Sequence, residues 1–169
     1  MKRQICILVL LLLLPALLTG CFLGLGGDKT ATITRSSDSL SIDLPSDMVK
    51  ITDSSAEPYE MAYANKNTAF LLLVEKKADV AAVADAATAE EYCELLIDLY
   101  GYDAAVKQSK NGNPCFYYEA TIDGVVYGYY SIGMVSDDAF MMLQFGCATE
   151  EYAKLLPDFE AYEASVTLK

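Results

Sequence analysis

Alternating polar and apolar residues predict the first strands of this chain. The alternation is weak over residues 30–35, clear over residues 39–44, where Pro45 ends it, and recurs around Met61. A period of two turns one face of a strand toward a core and the other toward solvent. The chain is therefore expected to begin its folded part with short, half-buried strands.

A different pattern follows a predicted hairpin loop at residues 65–67. Residues 69–74 are apolar without interruption, which is typical of a strand covered on both faces. Lys76 and Lys77 close this strand, and residues 78–87 predict one or two helical turns. The sheet is therefore expected to be a middle layer of the fold.

Two amphipathic helices are predicted from apolar residues at helical spacing. The first begins at Thr88, which forms a capping box with Glu91, and ends at Gly101. The second runs from about Thr149, and Pro157 is expected to kink it or split it in two. The apolar stripes are Tyr92, Leu95, Leu96, Leu99 and Tyr100 in the first helix, and Tyr152, Leu155, Leu156 and Phe159 in the second.

The last third of the chain predicts a three-stranded meander over residues 114–122, 125–135 and 139–147. Asp123-Gly124 is a strong signal for a two-residue hairpin turn, and Asp137-Asp138 is expected to form the second turn. The predicted cross-strand pairs are Ile122 with Val125, Ala120 with Tyr127, Tyr118 with Tyr129, Met134 with Met141, Ile132 with Leu143, and Tyr130 with Phe145. Both faces are then apolar, so both should be covered; a three-residue second turn would reverse the third strand's faces without changing this conclusion. Residues 166–169 predict a short tail.

The order of strands, helix, meander and helix resembles the PsbP-like α/β/α sandwich. This family includes an extrinsic photosystem II subunit, a eukaryotic nuclear-import factor and many bacterial lipoproteins of unknown role. The matching segments are residues 40–45, the helix at Thr88, the tyrosine-rich residues 116–134 and the helix over residues 152–159. Met48 stands where the family often has a tryptophan. The resemblance implies an α+β fold, an antiparallel sheet with helices on both faces, and an assembly or accessory role without a shared catalytic residue.

The N-terminal residues predict export and lipid attachment. A basic start precedes an apolar run over residues 5–18, which is shorter than the roughly 20 apolar residues that a membrane-spanning helix needs. Leu18-Thr19-Gly20-Cys21 then resembles the bacterial lipobox, in which the cysteine thiol is lipidated and becomes the mature N-terminus. The alternative is an uncleaved signal anchor that extends through Leu25.

These features divide the chain into three parts. Residues 1–20 are expected to be a lipoprotein signal peptide, residues 21–29 a lipidated tether, and residues 30–169 a single globular domain. The lipid on Cys21 would hold the domain outside the cytoplasm, on the outer face of the cytoplasmic membrane or on an outer membrane if the cell has one.

Composition excludes several classes of function. The chain has no histidine, which excludes Ser-His-Asp and Cys-His nucleophiles and zinc sites with histidine ligands. A net charge of −12 disfavours nucleic acid as a partner. The sequence has neither a Walker loop nor a glycine-rich dinucleotide turn. We therefore predict no catalytic residue, no cofactor and no metal site, and we do not expect an enzyme.

Tyrosines and cysteines are the remaining candidates for a site. Five tyrosines fall within residues 117–130, and a tyrosine suits a binding surface as well as the aromatic pairs of a buried sheet. If one face is only partly covered, Tyr118, Tyr127 and Tyr129 form the predicted binding patch. Once Cys6 leaves with the signal peptide and Cys21 is lipidated, three cysteines remain: Cys93, Cys115 and Cys147. At least one thiol is therefore free in a monomer, and whether two of the three form a disulfide stays open.

The sequence thus favours a membrane-anchored, extracytoplasmic lipoprotein that acts as a non-catalytic binding or accessory module for a protein or envelope component. Its membrane contact would be the lipid on Cys21. The alternative is a small-ligand or metal-binding lipoprotein that uses the tyrosine-rich sheet face or the acidic loops.

Overall fold

The described part of the chain contains ten strands, three α-helices and a short 3-10 helix at Ser54–Ala56. The structure is a computed structural model, and it describes residues 31–169. In chain order the elements are β1 (Thr32–Ser36), β2 (Leu40–Pro45), β3 (Val49–Lys50), β4 (Met61–Ala64), β5 (Thr68–Lys76), α1 (Lys77–Val80), α2 (Ala89–Tyr100), β6 (Lys107–Gln108), β7 (Pro114–Ile122), β8 (Val125–Val135), β9 (Ala139–Ala148), α3 (Thr149–Ala164) and β10 (Thr167–Leu168). The signal peptide, the lipobox and the tether predicted for residues 1–29 lie outside the described residues.

The strands form two antiparallel sheets. The larger has seven strands in the order β3-β4-β5-β9-β8-β7-β6, and the smaller has three in the order β1-β2-β10. Four long neighbouring strands, β5, β9, β8 and β7, form the centre of the larger sheet, and two-residue strands close both of its edges. The predicted α+β class with an antiparallel sheet is confirmed.

The meander has the predicted register. Asp123 and Gly124 have φ values of 50° and 81°, as a tight two-residue hairpin turn with both central residues in the left-handed region requires. Tyr118 then pairs with Tyr129, and beyond the second turn Tyr130 pairs with Phe145. The other predicted pairs are also present, so the side chains alternate between the two faces as the sequence indicated.

Each face of the larger sheet has its own apolar layer. On one face α2 contributes buried Tyr92, Cys93 and Leu96, which pack on the aromatic residues of β7 and β8. On the other face α3 and the smaller sheet cover the core, with Phe159 and Leu40 fully buried. The prediction that both faces are covered is confirmed.

The helices differ in how closely they match their predictions. In α2 the Thr88 hydroxyl accepts from the Glu91 amide at 3.2 Å, the Glu91 carboxylate accepts from the Thr88 amide at 3.0 Å, and Gly101 ends the helix in the left-handed region. Of the two effects predicted for Pro157, a kink or a split, the split is wrong, since α3 continues through Pro157. Packing explains this, because Leu156 and Phe159 lie in the same core on either side of the proline.

The predicted C-terminal tail is also wrong. Thr167 and Leu168 form β10 and pair with Ser41 and Leu40 of β2. The free edge of β2 offers backbone groups that need partners, and four residues are too few for an alternating pattern to reveal a strand. The helical turns expected over residues 78–87 reduce to the single turn of α1.

Candidate functional site

The predicted tyrosine patch lies in the core. Tyr118, Tyr127 and Tyr129 are 4%, 6% and 7% exposed. The Tyr118 ring is stacked between Tyr102 and Tyr129, with ring centroids 3.9 Å and 4.9 Å away. The prediction required a face that was only partly covered, and α2 with the segment that follows it covers this face. These tyrosines therefore serve packing and offer no accessible surface.

Three polar side chains of this layer are hydrogen-bonded to one another, whereas the buried Tyr102 hydroxyl has no hydrogen-bond partner among the described residues. Gln144 Nε2 donates to Tyr118 Oη and to Ser131 Oγ, both at 3.2 Å. Burial raises the pKa of Tyr118 far above its ordinary range and raises the pKa of Tyr129 to about 12. Both phenols therefore remain neutral at physiological pH.

The cysteines are buried free thiols. Cys93 lies in the α2 layer, whereas Cys115 and Cys147 lie in the α3 layer, and none of the three forms a disulfide within residues 31–169. Burial raises the pKa of Cys93 to about 12 and the pKa of Cys147 to about 11. The thiolate is the nucleophilic form of cysteine, so these groups are unreactive in the folded protein.

A cleft of about 450 Å³ lies where one end of the larger sheet meets both main helices. Its walls come from the start of α2, the turn between β6 and β7, the end of β8, the end of α3 and the segment around β10. The lining residues are Ala89, Asn111, Asn113, Pro114, Gly133, Met134, Val135, Glu163, Ala164, Val166 and Leu168. We call it the Glu163 cleft.

Glu163, in the last turn of α3, is the charged residue of this cleft and is only 2% exposed. Its Oε1 atom accepts from Ser109 Oγ at 2.6 Å and from Asn113 Nδ2 at 2.7 Å. Its Oε2 atom accepts from Tyr130 Oη at the longer distance of 3.4 Å. These bonds fix the carboxylate in one orientation. Oε1 accepts two short hydrogen bonds, whereas Oε2 accepts one long hydrogen bond.

The turn between β6 and β7 is organised around this carboxylate. The Ser109 amide donates to the Asn113 carbonyl at 2.7 Å, and the Asn113 amide donates to Ser109 Oγ at 3.1 Å. Asn111 Nδ2 donates to the Glu160 carbonyl at 2.9 Å, which ties the same turn to α3. The amide oxygens Asn111 Oδ1 and Asn113 Oδ1 accept no hydrogen bond from the residues that the structure describes.

Glu163 forms no ion pair with a described lysine or arginine. Lys110, which lies within the turn itself, has its ammonium nitrogen 3.7 Å from the Glu160 carboxylate. Burial, followed by the Glu163 carboxylate, raises the pKa of Tyr130 well above its ordinary range. The Tyr130 phenol therefore remains a hydrogen-bond donor.

The side chains at the cleft do not form an arrangement typical of a catalytic site. Ser109 Oγ already donates to Glu163, and burial raises the pKa of the neighbouring Cys115 thiol. Within the described part of the chain, no group of three histidine, cysteine, aspartate or glutamate side chains is placed to hold a metal ion. The polar side chains that line the cleft are those of Glu163, Asn111 and Asn113, and the other lining residues are apolar or glycine.

Sequence reasoning did not select Glu163. One signal was available, because Glu163 lies four residues after Phe159 and seven after Leu156, on the apolar stripe of the helix. A carboxylate at such a position faces the core. The asparagines of the turn carried no comparable signal.

Two layers of helix around an antiparallel sheet define the class of this domain as an α+β sandwich. No family model matches the sequence, and no curated protein matches it either. A crystal structure from Bacteroides thetaiotaomicron VPI-5482 is similar, with a TM-score of 0.52 at 15% identity. That match covers 77% of this chain and 45% of the other, so this chain spans less than half the length of that protein.

Two further solved structures are similar to this chain. The solution structure of cyanobacterial PsbP (CyanoP) from Synechocystis sp. PCC 6803 has a TM-score of 0.47 at 11% identity, with 89% of this chain and 99% of that chain covered. The crystal structure of LpqN, involved in cell envelope biogenesis of Mycobacterium tuberculosis, has a TM-score of 0.46 at 15% identity, with 85% and 87% covered. These likenesses concern the fold.

Within residues 31–169, no helix combines the length and the hydrophobicity needed to cross a bilayer.

Proposed function

We propose that this chain is an extracytoplasmic lipoprotein whose domain is a non-catalytic binding module. The lipobox at residues 18–21 supports this localisation, and the lipid on Cys21 would be the membrane anchor. The observation that carries the binding role is the Glu163 cleft, where a buried carboxylate faces apolar walls. Its volume of about 450 Å³ lies within the range of roughly 300–1,000 Å³ that is usual for small-molecule sites.

The structure changes which occupant we favour. The sequence placed a protein or envelope component first, and second a small ligand or metal bound at the tyrosine-rich sheet face or the acidic loops. The buried tyrosines offer no such surface, whereas the cleft is concave and has a few convergent polar atoms. We therefore favour an envelope component of small-molecule size, and keep a protein partner as the second candidate because the sequence motivates it.

A capture experiment tests the binding role. The full chain, purified from membranes in a mild nonionic detergent, is incubated with envelope extract, and retained proteins and small molecules are identified by mass spectrometry. Ala164 lines the cleft and is exposed, so Ala164→Trp fills the cleft without changing the core. Ala161→Trp, at an exposed position of the same helix outside the cleft, is the matched control.

We expect a component that the wild type and Ala161→Trp retain and that Ala164→Trp loses. Equal retention by all three chains would contradict binding at the cleft. Retention of a protein instead of a small molecule, again lost on Ala164→Trp, would favour the second candidate.

The anchor has its own test. Cells that express the full chain are fed a labelled fatty acid, and the label on the protein and its fractionation with membranes are measured. Cys21→Ser is expected to lose both, because no thiol remains to receive the lipid. Cys6→Ser, within the predicted signal peptide, is the control and should keep both. An unlabelled wild-type protein would refute the anchor without affecting the cleft.

A further inference from the structure

We infer that the Glu163 cleft selects small organic cations, namely a primary ammonium group on a short aliphatic body. This inference rests on the proposed binding function and names its ligand class. Its basis is the unequal use of the carboxylate oxygens, the missing positive charge and the arrangement of polar and apolar walls.

Glu163 has hydrogen-bonding capacity that the protein does not fill. A carboxylate has about four acceptor sites. Ser109 and Asn113 occupy two on Oε1 at 2.6 Å and 2.7 Å, whereas Oε2 has only the Tyr130 hydroxyl at 3.4 Å. The least satisfied oxygen of this nearly fully buried carboxylate therefore keeps acceptor capacity that the described residues do not use.

Because Glu163 forms no ion pair with any residue that the structure describes, we expect the ligand's hydrogen-bond donor to be positively charged. Burying a carboxylate is costly unless it is paired, and all three donors to Glu163 are neutral. Within residues 31–169 both ion pairs involve other carboxylates, those of Glu160 and Glu151. An ammonium group would supply the absent charge and form a charge-assisted hydrogen bond, which is stronger than a neutral one.

The other walls fit the rest of such a ligand. The free amide oxygens of Asn111 and Asn113 can accept the remaining ammonium hydrogens. Pro114, Val166 and Leu168 provide apolar surface for methylene groups. An anion would meet the Glu163 carboxylate without a lysine or arginine to offset it, and the net charge of −12 favours the approach of cations.

A matched series of probes tests the charge requirement. The full chain in dodecyl maltoside is titrated by calorimetry with butylammonium, butanol and butyrate, and a titration of empty micelles is subtracted. We expect one site per chain that binds butylammonium at least about tenfold more tightly than butanol, and no detectable binding of butyrate. Equal affinities for butylammonium and butanol would overturn the inference.

Variants locate the site. Glu163→Gln keeps the side-chain size and removes the charge, so the preference for butylammonium over butanol should disappear. Glu150→Gln, at an exposed position of the same helix outside the cleft, should keep the preference. Because Glu163→Gln could loosen the turn, Ala164→Trp provides a second test that leaves the carboxylate in place and should abolish binding of both probes. Unchanged binding to Ala164→Trp would place the amine elsewhere and refute the inference.

The two proposals fail separately. The protein could bind butylammonium no more tightly than butanol while Ala164→Trp still loses the envelope component. The proposed ligand class would then be refuted, and the binding role of the cleft would remain. If Ala164→Trp retains the component, the binding role of the cleft is refuted, whatever the affinity for butylammonium.

Discussion

Gly133 shows how strictly one residue is constrained at the edge of the cleft. It lies in β8 directly beneath the first turn of α2. A Cβ atom at this position would overlap Cys93 Sγ and lie 2.9 Å from the carbonyl oxygen of Ala89. The absence of a side chain at Gly133 therefore lets α2 approach the sheet closely enough for Ala89 to border the cleft.

We expect Gly133→Ala to lower the free energy of unfolding by about 1–3 kcal/mol, which is the usual cost of overpacking a core. Urea unfolding followed by circular dichroism measures it. In a double-mutant cycle, Cys93→Ala should recover only part of the loss, because the Ala89 carbonyl oxygen stays in place. A Gly133→Ala protein as stable as the wild type would show that α2 shifts freely, against this packing.

At the residue scale, sequence reasoning assigned the core more reliably than the site. The alternation around Tyr118 correctly placed its neighbours on two faces, but it could not show that residue 102 would stack on Tyr118 at 3.9 Å. Glu163 was detectable from the apolar stripe of its helix. Its partners Ser109 and Asn113 were not, because they lie 54 and 50 residues away along the chain.

At the scale of elements, local signals determined what could be predicted. The Asp123-Gly124 turn fixes the register of β7 and β8 because it sets the loop length, and the Thr88 capping box fixes the start of α2. The two-residue strands β3, β6 and β10 carry too few residues to show a period. They form because neighbouring strands present backbone groups to them, which is information from the assembled fold.

Pro157 gives a prediction for α3. Proline has no amide hydrogen, so the Ala153 carbonyl lacks the donor that a helix normally provides four residues later. Pro157 is exposed, and replacing it loses no core packing. Pro157→Ala should therefore raise the free energy of unfolding, by up to about 3 kcal/mol, as measured by thermal or urea unfolding. Asp158→Ala, the exposed neighbour, is the control and should change it by less than about 0.5 kcal/mol. An equal or lower stability of Pro157→Ala would contradict this account of the helix.

At the scale of the whole molecule, the packed layers hold many groups that lose protons at high pH. Burial raises the pKa of Tyr102 and Tyr129 to about 12, and the pKa of Cys93 to about 12. Each of these values in the folded state is above the value of the exposed group, which is about 10 for tyrosine and 8.5 for cysteine. The folded state therefore holds these protons more tightly than the unfolded state.

The expected consequence is a loss of stability at alkaline pH. The contribution of these groups is complete below the unfolded pKa values and is lost as the pH rises through about 9 to 12. The midpoint of urea unfolding should fall across this range. Tyrosine ionisation followed by ultraviolet absorbance should coincide with loss of the circular dichroism signal. If most tyrosines ionised near pH 10 while the fold stayed intact, the buried positions would be wrong.

The whole sandwich was more predictable than its cleft. Period-two and helical patterns are written along short stretches, so the order of elements and the two covered faces follow from them. The cleft draws its walls from five separate parts of the chain, between Ala89 and Leu168. No stretch of sequence carries a pattern for that meeting point, which exists only once both helices have packed on the sheet.

The three buried thiols can also report local opening of the folded protein. Cys93 is sealed beneath α2, and Cys147 lies in the layer closed by α3. A thiol reagent in excess can label each of them only in molecules whose layer has momentarily opened. The labelling rate of Cys93 therefore measures opening of the α2 layer, and that of Cys147 measures opening of the α3 layer. Opening on the two faces of the sheet can thus be measured separately in one sample.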